Sequence, residues 1–331
     1  MATAKLADGR AFPVSGETSL LDAALAAGIA LPYSCRTGRC STCKAQVHGG
    51  GTRALMAESG LTAAELADGW ILTCARTADS DLSLDAESLD RIALPPVKTL
   101  PARIAQLEHL APDVLRVVLR LPPTAGFAYI PGQYIDVIGN NGIRRSYSLA
   151  NAPSENKLLE LHIRAVENGA MSQFWFKEAK VNDLLRLNGP LGTFLLRDTA
   201  NVDLIFLATG TGIAPVKALL ESLVHLPEEE SPRSVTVLWG GRHAQDLYLD
   251  VAGIGGNHTY VPVQSRPDAD WTGQAGHVQD VLLRLNPDLK NAAVYACGSD
   301  AMIHSARQRL VESGLPPKRF YSDAFVCSGT N

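Results

Sequence analysis

Cys35, Cys40 and Cys43 stand as C-x4-C-x2-C, and Cys74 follows after a long gap. No other feature limits the fold as strongly, because three thiols in one loop and a fourth from a distant segment must meet. This is the spacing that wraps a [2Fe–2S] cluster. Zinc sites usually place two ligands in each half of a paired motif, which this spacing does not. Buried inert thiols are the plainer alternative. Gly38 lets the loop fold back, and the amides of residues 36–42 are placed to donate to sulfur. Arg36, Arg39 and Lys44 offset the negative charge of such a group, one lever on its reduction potential.

The chain has 331 residues, too many for one core and enough for two or three domains. With 46% hydrophobic and 19% charged residues it is ordinary globular material, and a net charge of -4 without a long basic run argues against nucleic acid. Residues 1–16 lack the apolar stretch of a signal peptide, and no segment is apolar for the roughly 20 residues a bilayer demands. A cytoplasmic protein without membrane attachment is expected, and a monomer is the default. That compartment disfavours disulfides, which again assigns the clustered cysteines to metal.

Residues 1–92 read as a mixed α+β module: strands at 4–7, 11–14, 43–47 and 82–84, and a helix at 19–27 capped by Ser19 and stopped by Gly28. Pro95, Pro96 and Pro101 make residues 93–101 a stiff linker. Residues 102–197 carry short strands at 114–121, 134–137 and 158–164, spaced as in an antiparallel barrel. Residues 198–331 alternate strand and helix, which indicates a parallel sheet with crossover helices.

Within the barrel region, R-S-Y-S at 145–148 suits a flavin diphosphate. Arg145 and Tyr147 share one face of a strand, where a guanidinium neutralises pyrophosphate and a phenol meets the ring or ribityl chain. Ser148 offers a hydroxyl near the reactive nitrogen. Further on, Gly169, Met171 and Ser172 open an amphipathic segment whose N–H groups face a phosphate. Each signal alone is also what a half-exposed strand or an ordinary helix cap looks like.

The cysteine loop resembles plant-type ferredoxins, which implies a β-grasp fold for the first module. From residue 102 onward, R-S-Y-S, G-A-M-S at 169–172, P-G-Q-Y at 131–134, L-H-I-R at 161–164 and G-P-L-G at 189–192 resemble the ferredoxin–NADP reductase superfamily. That resemblance implies FAD, rather than FMN, on the barrel, with His162 and Arg164 beside it.

After the strand at 202–207, Thr209, Gly210, Thr211 and Gly212 form a turn of small residues that admits a pyrophosphate. Pro215 replaces the third glycine of the usual dinucleotide fingerprint and still suits a helix's first turn. The resemblance implies that this turn cradles the nicotinamide dinucleotide, that Cys297 and Gly298 border the nicotinamide, and that Phe325 covers the flavin. An inert thiol and a core phenylalanine are the alternatives; Cys327 takes no role. Arg242 suits a 2′-phosphate and Asp246 a free hydroxyl. NADP-specific relatives gather a Ser/Arg/Tyr group here that residues 239–242 lack, so NADH is expected over NADPH.

No C-x-H pair marks a Rieske site, and no glutamate stands three residues before a histidine, the spacing of di-iron bundles. Electrons must therefore leave to a partner: hydride brings two, the cluster takes one, and a flavin stands between. Over its whole length the chain resembles CDP-6-deoxy-3,4-glucoseen reductases, which feed a pyridoxamine-dependent dehydrase in deoxysugar synthesis. Reductase components of Rieske and di-iron oxygenases share the module order. The two clients stand near equal, a terminal oxygenase being set first, reached directly or through a separate ferredoxin. A plain ferredoxin carrier and a redox-sensing regulator are the readings outside this class.

Overall fold

The computed structural model describes residues 1–89, 91–139 and 142–325. The chain divides into two compact units: Met1–Leu94 with Gly192–Phe194, and Pro95–Leu191 with Leu195–Phe325.

The first unit contains β1 (Ala2–Leu6), β2 (Ala11–Val14), α1 (Leu20–Ala26), β3 (Lys44–Gly49), β4 (Thr52–Ala54), α2 (Ala63–Ala67), β5 (Trp70–Leu72), β6 (Arg76–Ala78) and β7 (Leu82–Asp85). Alternate residues of β1 are buried, as a strand with one wet face requires. Ser19 caps α1 by accepting the Asp22 amide, and Leu20, Leu21, Ala23 and Ala24 face inward. The five-stranded sheet runs β2-β1-β7-β3-β5. Only β1 and β7 pair in parallel, which gives the mixed β-grasp architecture. Phe12, Leu20, Leu21, Leu31, Leu72 and Leu84 form its core. Thr193 belongs to this unit: its hydroxyl accepts from the Tyr33 amide at 2.7 Å and donates to the Tyr33 carbonyl at 2.9 Å.

The second unit opens with a barrel of β8 (Lys98–Ala111), β9 (Val114–Arg120), β10 (Tyr134–Ile138), β11 (Arg144–Ser148), β12 (Leu158–Arg164) and β13 (Leu184–Leu191). Every pairing in the order β11-β10-β13-β8-β9-β12 is antiparallel, and a bridge between Leu149 and Leu161 closes the two edges. Closure removes the exposed edge that an open sheet would present. Helix α3 (Ala170–Gln173) and a π turn at Phe174–Glu178 lie between β12 and β13. β8 begins inside the segment expected to be a linker, so residues 98–101 are strand.

The remainder comprises β14 (Asp203–Thr209), α4 (Ile213–Leu223), β15 (Ser234–Gly241), β16 (Thr259–Gln264), β17 (Gln274–Ala275), α5 (Val278–Arg284), β18 (Ala292–Ser299), α6 (Asp300–Glu312) and β19 (Phe320–Phe325). The sheet β17-β16-β15-β14-β18-β19 is wholly parallel. Its central strands are buried on both faces, with Phe206, Trp239 and Tyr295 almost fully enclosed. The chain winds outward from β14 to β17 and then returns to the other side of β14 at β18. That reversal opens a crevice at the carboxyl ends of β14 and β18, where sheets of this kind take ligands. Among the described residues no helix is long and apolar enough to cross a membrane.

Candidate redox site

In the first unit the four cysteines stand in pairs. Cys43 Sγ lies 3.3 Å from Cys74 Sγ, unbonded, and the Cys35 amide reaches Cys40 Sγ at 3.5 Å. Among the described residues no three His, Cys, Asp or Glu side chains gather as ligands of one ion. Two sulfurs to a side is the donor set of a two-iron cluster, so the residues fit that group. Hydrogen bonding between partners drives the Cys35 and Cys74 thiols down and the Cys40 and Cys43 thiols up, burial adding to the rise. The Thr37 amide donates to Cys35 Sγ at 3.4 Å.

The loop is bent hard to achieve this. Arg36 and Ser41 adopt φ of 57° and 60°, left-handed values unusual for residues with side chains. Gly38 has φ 73°, and a Cβ there would meet the Ala57 carbonyl oxygen at 2.2 Å. The backing segment is itself fixed, because Glu58 accepts from the Leu72 amide and from Arg76 Nε, each at 2.7 Å. Arg36 pairs with Asp22 and Lys44 with Glu65, so part of the positive charge expected to face the cluster is already answered. Arg36 still helps to lower the Cys74 thiol, behind the bond from Cys43.

On β11, Arg145 and Tyr147 are half-buried and share a face, and Ser148 is buried. The Tyr147 hydroxyl accepts from Trp175 Nε1 at 3.0 Å, tying this strand to the α3 segment. Gly169 begins α3 without a side-chain cap, which leaves N–H groups of the first turn for an anion. Arg145 and that turn fit a flavin diphosphate. The Met171 side chain is buried in the barrel core and the Ser172 hydroxyl accepts from the Val166 amide, so these two residues offer a phosphate their backbone N–H groups rather than their side chains.

His162 also turns inward. Its Nε2 lies 3.0 Å from Glu160 and its Nδ1 3.2 Å from the Tyr248 hydroxyl. Burial drives the imidazole below its usual range despite that carboxylate, so the neutral ring donates from Nε2 and accepts at Nδ1. Burial also opposes the Glu160 charge, yet His162, Lys217 and Arg116 together hold its pKa at about 2. Arg164 reaches across to Asp246 of the other lobe at 3.1 Å and pairs with Asp113 of its own barrel at 3.2 Å. Its guanidinium borders Gly210, so it stands at the Thr209–Gly212 turn.

That turn is a tight Gly210–Gly212 helix that runs into α4, with Pro215 in the first turn of α4. The glycines serve an interlock. A Cβ on Gly212 would meet the Cys297 carbonyl oxygen at 2.3 Å, and one on Gly298 would meet Thr209 Oγ1 at 2.2 Å. Thr209 Oγ1 accepts the Ser299 amide at 3.1 Å across the same junction.

Asp323 lies in the terminal segment Tyr321–Phe325, where the sequence assigned a role to Phe325 alone. Parallel register sets it opposite Cys297, and its Oδ2 lies 3.5 Å from Ser148 Oγ and 4.0 Å from Cys297 Sγ. Cys297 is fully buried, and burial followed by the Asp323 charge pushes its thiol far up, so it is no nucleophile. Phe325, opposite Ser299 at the end of β19, leaves 37% of itself exposed. Cys327 and Val326 lie outside the described residues.

Just beyond β15, Asp246 accepts the Arg242 and His243 amides at 2.7 and 3.2 Å. The residues that follow β16 run beside this turn. The Ser265 amide donates to Gly241 and the Arg266 amide to Arg242, which sets a serine and a second exposed arginine beside Arg242.

Comparisons agree with this division of labour. Residues 6–79 match a 2Fe-2S iron-sulfur cluster binding domain, 101–195 an oxidoreductase FAD-binding domain and 206–308 an oxidoreductase NAD-binding domain. The chain is 43% identical over 324 residues to the CDP-6-deoxy-L-threo-D-glycero-4-hexulose-3-dehydrase reductase of Yersinia pestis, covering 97% of each. It belongs to the three-module reductases of the ferredoxin–NADP reductase superfamily. This reductase is also 32% identical to terephthalate 1,2-dioxygenase reductase component 1 of Comamonas, over 97% of this chain and 96% of that one. A solved cytochrome P450 reductase of Amycolatopsis superposes with a TM-score of 0.76 at 29% identity, covering 98% of this chain and 99% of that one. The reductase is thus an NAD- and FAD-dependent oxidoreductase carrying its own iron–sulfur domain.

Proposed function

We propose that this reductase takes hydride from NADH and delivers single electrons to a pyridoxamine-dependent dehydrase acting on a CDP-linked 6-deoxyhexulose. The observation that carries this is the 43% identity to the Yersinia dehydrase reductase, end to end over both chains. It reverses the order set by motifs alone, which placed an oxygenase first. Bound flavin supplies two-electron acceptance with one-electron release, and a bound two-iron cluster carries electrons singly.

The chain's own residues have distinct tasks in this reading. Arg145 and the open turn of α3 hold the diphosphate. Ser148, buried against Asp323, presents a hydroxyl of fixed direction to the flavin. Thr209, Gly210, Thr211 and Gly212 seat the coenzyme, with Arg164 beside them. Cys297 and Gly298 form the wall of the nicotinamide pocket, and Phe325 supplies an aromatic cover. Cys35, Cys40, Cys43 and Cys74 hold the irons. NADH is the working donor, while the Ser265, Arg266 and Arg242 group leaves NADPH a foothold. The protein acts as a monomer in the cytoplasm, where its thiols stay reduced.

Reconstitution tests the client. Purified holoprotein with NADH, the dehydrase and its CDP-sugar should give the 3-deoxygenated product, and turnover should stop when Cys40→Ser replaces the wild type. A second reading, a terminal oxygenase as acceptor, is favoured by the 32% identity to the Comamonas component. Coupled NADH oxidation with a Rieske or di-iron oxygenase, but none with the dehydrase, would select it.

A further inference from the structure

Helix α4 begins at the Gly210–Gly212 turn and carries Lys217 and Glu221 on one face, one turn apart. Both side chains grip the backbone that follows Ser148. Lys217 Nζ donates to the Ala150 carbonyl at 3.0 Å, and Glu221 Oε2 accepts from the Ala152 amide at 2.8 Å. The pair is bonded to itself at 2.6 Å. Glu160 on β12 completes the arrangement, with Lys217 Nζ 3.3 Å from its carboxylate and the Ala150 amide donating to its carbonyl at 2.7 Å.

Ion pairs of this kind contribute little when solvent surrounds them. Here the Lys217 and Glu160 side chains are only 13% and 11% exposed, so their geometry is held. A rigid helix therefore joins the turn that seats the coenzyme to the strand end that carries Ser148.

We propose that Lys217, Glu221 and Glu160 are positioning residues: they clamp the Ser148–Ala152 segment to the helix that starts at the coenzyme turn. Coenzyme binding then orders the flavin-side hydroxyl. The inference rests on the reading that nicotinamide coenzyme sits at Gly210–Gly212 and flavin at Ser148. Hydride transfer makes such a clamp consequential, because small displacements of the reacting groups cost large factors in rate.

Glu221 offers the cleanest test, since Glu221→Gln keeps an acceptor for the Ala152 amide and Glu221→Ala does not. The flavin- and cluster-loaded protein is examined by amide hydrogen exchange with and without NAD+, alongside NAD+ affinity and NADH-driven dye reduction. In the wild type, NAD+ should slow exchange at Ala150 and Ala152 about tenfold. Glu221→Ala should lose that protection and about tenfold in kcat, with KM and NAD+ affinity nearly unchanged, and Glu221→Gln should restore both. Wild-type protection in Glu221→Ala, or an equal loss in Glu221→Gln, overturns the clamp alone. A wild type that binds no NAD+ overturns the coenzyme reading and the clamp together.

Discussion

Cys43 Sγ and Cys74 Sγ lie 3.3 Å apart although they stand 31 positions apart in the chain. The Thr73 amide and hydroxyl both donate to the Cys43 carbonyl, at 3.0 and 3.2 Å, so backbone bonding sets the two thiols side by side. Cys74→Ser should therefore yield protein that retains flavin and is bleached by NADH, but lacks acid-labile sulfide. Full sulfide content in that variant would deny Cys74 its place as a ligand.

Gly38 is the tightest point of the cysteine loop. An alanine there carries both a left-handed backbone and a Cβ pressed on the Ala57 carbonyl. The expected cost is about 3 kcal/mol, enough to loosen a marginally stable domain. Iron release from Gly38→Ala to a chelator should be at least about tenfold faster than from wild type, on that same scale. An unchanged release rate would mean the loop can be rebuilt around the methyl group.

The arginines at the ribose end should read the 2′-phosphate alone. Arg266→Ala or Arg242→Ala should lower kcat/KM for NADPH about tenfold, the worth of one charge-assisted hydrogen bond, and change that for NADH by less than about threefold. Equal losses with both coenzymes would place these side chains elsewhere in the site.

Acid should weaken the contact between the two lobes of the second unit. His162 titrates below its usual 6.5 because it is buried, and Glu160 at about 2 rather than 4.5. In both cases the unfolded chain takes up protons first, so stability is complete above pH 6.5 and falls with acidification. His162 contributes below about 6.5 and Glu160 below about 4.5. The thermal midpoint of the holoprotein should drop between pH 7.5 and 5, and His162→Gln should flatten that slope. Parallel slopes would remove His162 from the explanation.

What could be read in advance was what local pattern encodes. The cysteine spacing, the alternation of β1 and β2 and the turn before α4 are all contained in short stretches. β8 was hidden because Pro101 suggested a linker. Pairing with β9 starts only at Arg103, so the missing N–H of Pro101 breaks no ladder on that side. Asp323 and the Ser265–Arg266 group were invisible for another reason: strand register alone brings them to their partners. A motif names the positions of Met171 and His162, whereas burial decides that both side chains turn inward.

In the proposed function one polypeptide carries nicotinamide electrons as far as its own iron–sulfur loop. Low-temperature electron paramagnetic resonance of the holoprotein, frozen anaerobically after NADH addition, tests it most directly. The expected result is the signal of one reduced [2Fe–2S] cluster, absent from Cys74→Ser. A flavin fully bleached by NADH beside a cluster that stays oxidised, yet is reducible by dithionite, would contradict the account.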